Sequence, residues 1–380
     1  MFLPPSLPNL DLKPILELRA RLERRTDRDL SRSNVDNASD LLSRFRGGAS
    51  FKSGAVTGQF VYQYAHNEDW SRARNFATWR SDVLLAFAAT KVGVGNLTVG
   101  RQRLSLGSER LFGTADWNNV SYAWDGGRYA FGPLDFFAFK SGVNPLPNEE
   151  LQVVGGTYTK GFHQVLLAFK HDERNADSNV LTASELYRRV VGRVRIDAEV
   201  AGQVGHRRGA DVLAGAVDAI ATVPVAPRLT FSVQGSVASG GRSGGTSRTF
   251  DPLFASAHDK HGLIDVSGWS NLRDLGLWFR YEPDRATSVK LQYHGFGLDS
   301  ARDAWYNPVG RVNGRFFDAT GSRGRDLGDE FDVDFSRTLN PHQTVRAGLG
   351  VLVPGRFQRS FTGGSSKEEV WVYGQWAYRF

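Results

Sequence analysis

Along residues 193–204, RVRIDAEVAGQV, every second position is small and aliphatic. Val194, Ile196, Ala198, Val200, Gly202 and Val204 alternate with Arg195, Asp197, Glu199, Ala201 and Gln203. Successive strand side chains point to opposite faces, so this spacing predicts a strand with one apolar and one charged face. A helix would scatter both sets around its axis. The pattern returns along the chain. Leu16, Leu18, Ala20 and Leu22 alternate with Glu17, Arg19, Arg21 and Glu23, and Phe45, Gly47, Ala49 and Phe51 alternate with Arg44 and Arg46. Leu229, Phe231, Val233, Gly235 and Val237 oppose Thr230, Ser232, Gln234 and Ser236; Phe331, Val333 and Phe335 oppose Glu330, Asp332 and Asp334.

About eighteen such strands are expected, joined by links that mostly alternate between short and long. Short links fall at 53–56, at KVGV (91–94), at Gly161, at Gly192–Arg193, at Pro224–Arg228, at Pro283 and at LNPH (339–342). One more is expected at Gly126–Arg128, between strands 117–125 and 129–140. Long links fall at 104–116, 241–272 and 299–326, and Pro145 and Pro147 mark a loop at 141–149. An even count with such links predicts a single up-and-down antiparallel transmembrane β-barrel over residues 12–380, all-β, with short turns on the periplasmic side. A soluble sandwich gives no reason for the alternation. Residues 1–11 are Pro-rich and are expected to form a periplasmic arm. Val370, Val372, Gly374, Trp376, Tyr378 and Phe380 share the apolar face of the last strand, which fits an interfacial aromatic girdle.

Composition does not oppose this. The mean hydropathy is −0.35 and 41% of residues are hydrophobic. The longest apolar run, Val83–Ala89, is far short of the roughly 20 residues of a spanning helix. Barrel strands are apolar only at alternate positions, so their signal disappears from bulk hydropathy. The 380 residues contain no cysteine, which fits an envelope protein. Met1 leads into FLPPSLPNLDLKP, without a basic start or an apolar core; the barrel reading therefore expects the secretory signal to have been removed. The net charge of +7 points to anionic partners. No compact basic cluster or motif indicates nucleic acid.

If the apolar face meets lipid, the charged face lines a lumen wide enough for water. Its candidate cations are Arg19, Arg21, Arg44, Arg46, Arg195, Arg280, Lys290 and Arg346. The interleaved acids include Glu17, Glu23, Asp197, Glu199, Asp274, Glu330, Asp332 and Asp334. Guanidinium forks could hand a carboxylate along the pore, with neighbouring acids keeping each site weak. Alternatively, the same ions only form ladders that stiffen the wall.

The stretch 100–128, GRQRLSLGSERLFGTADWNNVSYAWDGGR, resembles the alginate export porin family. DPLF (251–254) with His258, GWSNLRD (268–274), DAWY (303–306) and the aromatic last strand are further points of similarity. The resemblance implies an eighteen-stranded outer-membrane barrel passing an anionic polyuronate. It adds Arg101, Arg110, Asp116, Asp125 and Arg128 as pore candidates. Alternation with Leu97 and Val99 sets Arg101 on the lipid face, which a bulge at Gly100 or a place at the strand end would resolve. The chain is short for the family, so trimmed plugging loops are expected.

The leading expectation is thus a passive, anion-selective channel exporting an anionic polysaccharide, a monomeric barrel in outer-membrane lipid without cofactor. A porin for small anionic or general solutes is the alternative. A barrel enzyme would need a serine beside a histidine at the lipid rim, and none stands out near His163 or His294. His258 and His261 lack the further ligands of a metal site.

Overall fold

The computed structural model describes residues 10–31, 37–69, 78–142, 148–173, 178–363 and 366–380. The first half of the wall is β1 (Leu10–Thr26), β2 (Ala38–Ser53), β3 (Val56–Asp69), β4 (Thr78–Val92), β5 (Gly95–Gln102), β6 (Trp124–Phe131), β7 (Leu134–Ser141), β8 (Asn148–Lys160) and β9 (His163–Asp172). The second half begins with β10 (Ser178–Val191), β11 (Val194–Arg207), β12 (Ala210–Ala226) and β13 (Leu229–Ala238). Strands Leu272–Tyr281, Thr287–Gly297, Asp326–Asn340, Gln343–Pro354 and Glu369–Arg379 complete the eighteen. Each pairs antiparallel with its neighbours in sequence, and the last closes on β1 with Leu18 opposite Tyr378. Closure removes the open edges that would otherwise template aggregation. Among the described residues the α-helix is limited to Arg356–Arg359 in a loop.

The expected arm lies outside the described residues as far as position 9, and Leu10 and Asp11 are already strand. Pro145 and Pro147 also lie outside the described residues. One expected boundary is wrong. Residues 117–123 are not strand, and the expected turn at Gly126–Arg128 is the middle of β6. The real turn is Gly132–Pro133, with Gly132 at φ 52°. The outer link between β11 and β12 is as short as the periplasmic ones, so link length does not alternate strictly.

The outward face is consistent across strands. From β5 to β12 a single row of paired residues reads Val99, Gly127, Ala138, Val154, Phe169, Leu181, Val204 and Leu213. The next outward row reads Arg101, Asp125, Lys140, Gln152, His171, Asn179, His206 and Asp211. The lipid-facing apolar surface of this sector ends between these two rows.

The lumen differs from the expected charged tunnel in one sector. Phe137, Phe139, Leu151, Val153, Leu166 and Ala168 point inward from β7, β8 and β9 and are buried. They pack against Leu104, Leu111, Phe112, Phe250 and Phe254 from two loops, 103–123 and 239–271, which fold into the barrel. Burying those apolar faces drives the loops inward. The opposite sector of the wall, β1 to β3 and the strands beyond β13, keeps its charged inner face.

Candidate functional site

The two inward loops are joined to each other. Gly113 N–H donates to Phe254 O at 2.9 Å and Phe254 N–H to Leu111 O at 2.8 Å, a short parallel pairing inside the lumen. The first loop is then clamped by the wall arginines. Arg19 donates to the carbonyls of Asp116 (2.8 Å) and Asn118 (3.0 Å) and to Asn119 Oδ1 (3.1 Å). Arg44 donates to the same two carbonyls at 2.9 and 3.0 Å, and Arg21 to Trp117 O at 2.8 Å. Arg46 reaches Asp116 Oδ1 at 2.7 Å. Glu17 accepts from Arg44 Nε at 2.8 Å. Burial would raise the Asp116 carboxyl, but Arg44, Arg46 and Arg103 more than offset it and hold it well below the usual carboxylate range.

The second loop is held by a different set. Asp259 bonds Lys290 Nζ at 2.5 Å, and the Ile264 N–H donates to Glu330 Oε1 at 2.9 Å. His261 Nδ1 meets Asp274 Oδ2 at 2.9 Å, and Arg110 Nη1 meets His261 Nε2 at 3.1 Å. Arg110 also pairs with Asp218 at 3.0 Å. Burial raises the Asp259 carboxyl, but the Lys290 and His258 side chains more than offset this and hold it well below the usual carboxylate range. His258 stacks on Trp117 with ring centres 3.6 Å apart, and Arg21 covers the other face of that indole at 3.9 Å.

Residues 257–260 lie as a partition between two cavities that they border on either side. Ala257 and His258 border an outer cavity of about 720 Å³, with Arg25, Arg28 and Arg315 on its wall. Asp259 and Lys260 border an inner cavity of about 260 Å³ toward the periplasmic turns. Arg195, Asp197, Glu199, Arg280 and Lys290 line that inner cavity, as does Arg110. Lys260 donates to Ser108 O at 2.9 Å; burial and the nearby Arg110 lower its ammonium. Arg280 donates to Ser288 Oγ at 3.1 Å. Among the described residues neither cation has a carboxylate within ion-pair distance.

The remaining candidates separate. Arg346 pairs with Asp334 at 3.1 Å and lies over Trp117 at 5.3 Å. Arg128 is on the inner face beside Asp135, near the periplasmic turn. Arg101 and Asp125 are on the outward face, not in the lumen. They bond at 2.7 Å at the outer end of β5, and Arg101 Nη1 also reaches Asp82 at 3.0 Å. No bulge rotates Arg101 inward; the strand simply stops one residue later. Reasoning from alternation missed Trp117, Asp259, Lys260 and Arg188, which lines the inner cavity and pairs with Asp197 at 3.0 Å. Trp117 lies in the family-like stretch, but its side-chain role has no periodic signature.

The profile of the alginate export family matches residues 12–140 and 168–373. The chain belongs to the alginate export family. Among solved structures, it resembles OccK5 (OpdH) of Pseudomonas aeruginosa at 11% identity and a TM-score of 0.64, over 97% of this chain and 98% of that one. OpdK of the same organism, solved with vanillate, matches at 14% identity and 0.63 over 97% and 98%. OprD from that organism matches at 12% and 0.63 over 99% and 95%. These likenesses are of fold, an outer-membrane porin barrel. No curated protein sequence matches the chain. As a family member with this barrel, the chain is an outer-membrane channel.

Proposed function

We propose that this channel prefers anions and passes carboxylate-bearing solutes through the inner cavity. One observation carries the reading: Lys260 and Arg280 line that cavity and, among the described residues, hydrogen-bond only to neutral groups. A passing carboxylate has no ion-paired acid to displace from either cation, while Asp197, Glu199, Asp218 and Asp259, which also line the cavity, keep its binding weak enough for escape. Arg195, which pairs with Asp197 at 2.7 Å, supplies a further fork near the periplasmic side. The wall arginines Arg19, Arg21, Arg44 and Arg46 act mainly as loop clamps.

Two solute sizes have support. Membership of the alginate export family favours an anionic polysaccharide, for which the partition at 257–260 has to move aside. The modest size of the inner cavity, about 260 Å³, favours a small anion, and OpdK, of the same fold, was solved with the small carboxylate vanillate. Planar-bilayer recordings test both. The reversal potential in a salt gradient should show anion preference, and the K260E/R280E double variant should move it toward cations. An unmoved reversal potential would remove these two residues from the pathway. Block by oligouronates but not by monomeric uronate selects the polymer.

A further inference from the structure

The contact between the two inward loops contains a group whose hydrogen-bonding role depends on its proton. Arg110 Nη1 lies 3.1 Å from His261 Nε2, and a guanidinium can only donate. His261 Nε2 must therefore accept, and its proton sits on Nδ1, toward Asp274 Oδ2 at 2.9 Å. Asp274 is occupied on its other oxygen by His294 Nδ1 at 2.9 Å. Arg110 is in turn fixed to Asp218 at 3.0 Å. Arg110 on the first loop and Asp274 on the wall, with His294 behind it, thus fix the neutral tautomer with its proton on Nδ1, while Asp218 beyond Arg110 favours the imidazolium. Lys260 precedes it on its own loop, and Glu330 lies under the adjacent Gly262.

We propose that His261 is a proton-operated release for the partition: in acid it gains a proton on Nε2, loses Arg110 as a partner, and lets the second loop withdraw from the first. The doubly protonated ring presents a donor to a donor at 3.1 Å, beside a fixed positive charge. Asp274 favours the imidazolium, but it is already engaged with the Nδ1 proton and gains no new bond. Burial pushes the His261 imidazole below its usual value, Asp274 draws it up, and Arg110 pushes it down again, with a net lowering. Release therefore belongs to acid below the ordinary histidine range. His261 is three residues from His258 and one from Lys260, so its withdrawal acts directly on the stretch dividing the two cavities. Asp116, held well below the usual carboxylate range, keeps the first loop clamped over the same interval.

The inference rests on the channel itself and not on its anion preference, because conductance rather than its sign is read. Single-channel conductance of the purified protein is recorded at pH 7.5 and at pH 5.0. We expect a rise of roughly twofold or more on acidification, reversed on return. In H261N the amide supplies a donor and an acceptor with no titration, so conductance should stay at the pH 7.5 level. A second variant controls for misfolding. An added Cβ at Gly350 would lie 2.5 Å from Ile264 Cγ1, close enough to bridge by disulfide. The chain has no other cysteine. Oxidised I264C/G350C should lose the acid response, and reduction should restore it. The proposal is overturned by a wild-type conductance equal at both pH values, by H261N responding as wild type does, or by an oxidised double variant that still responds.

Discussion

Arg19 and Arg44 stand directly opposite each other across β1 and β2. Like charges so placed destabilise a sheet unless something lies between them. Here the intervening groups are the carbonyls of Asp116 and Asn118 and the Asp116 carboxylate. Alternation in the sequence tells which face each arginine takes, and it does so correctly for Arg19, Arg21, Arg44 and Arg46. It cannot tell what the guanidinium meets, because that partner arrives from a loop some 70 to 100 positions away. The same limit explains Arg101, whose outward pairing with Asp125 depends on where β5 ends. Replacing Asp116 with Asn removes the carboxylate from this cluster. We expect a loss of about 2 kcal/mol, the scale of a hydrogen bond to a charged group, read as a lower temperature for the folded-to-unfolded mobility shift on gels. A carboxyl depressed in the folded state contributes its stability at every pH above its unfolded value. It loses that contribution only as pH falls toward the lower folded value. The gap between wild type and D116N should therefore be constant from pH 7.5 to 5 and narrow only below about pH 4.

At the level of elements, most of the wall is readable from period-two alternation, because lipid on one side and lumen on the other enforce it. The misplaced strand 117–125 shows where that logic stops. Val120 and Tyr122 alternate with Asn119 and Ser121 by chance, and the segment is spent inside the barrel clamped by β1 and β2. Nothing in a loop sequence marks whether it folds out over the rim or back into the lumen; the apolar inner faces of β7 to β9 decide it. Phe254 tests this account. It packs on Phe112 and Trp124 and carries the pairing between the loops. F254A should cost about 3–5 kcal/mol of local packing and free both loops, seen as new protease cleavage within 103–123 while the barrel stays folded. A wall substitution should behave differently. An added Cβ at Gly48 would lie 1.9 Å from Phe60 O on the neighbouring strand. G48A should therefore impair assembly of the barrel itself, whereas Gly192, at a turn with open space around it, should tolerate alanine at a cost of about 1 kcal/mol.

For the whole molecule, the distribution of charge along the barrel axis matters more than the net value. The short turns 53–56, 92–95, 131–134, 160–163, 191–194, 226–229 and 340–343 contain no acidic residue. Glu282 and Asp284 lie in the one remaining turn, next to Arg285. Lys52, Lys91, Lys160, Arg193 and Arg228 are in or beside these turns and are exposed. Asp11 opposite Lys52, Asp135 beside Leu134, and Glu282 and Asp284 are the acids at this rim, so the periplasmic mouth carries a net positive charge, which raises the local concentration of anions. Anion current entering from that mouth should exceed the current driven the other way at equal voltage. The asymmetry should be clear at 0.1 M salt, where screening extends about 10 Å, and should fade at 1 M, where it is about 3 Å. These residues lie outside the clamps and the partition, so K52Q/K91Q/R228Q should leave the high-salt conductance unchanged while removing the low-salt asymmetry. An asymmetry that survives those substitutions would place its source at the inner cavity instead of the mouth.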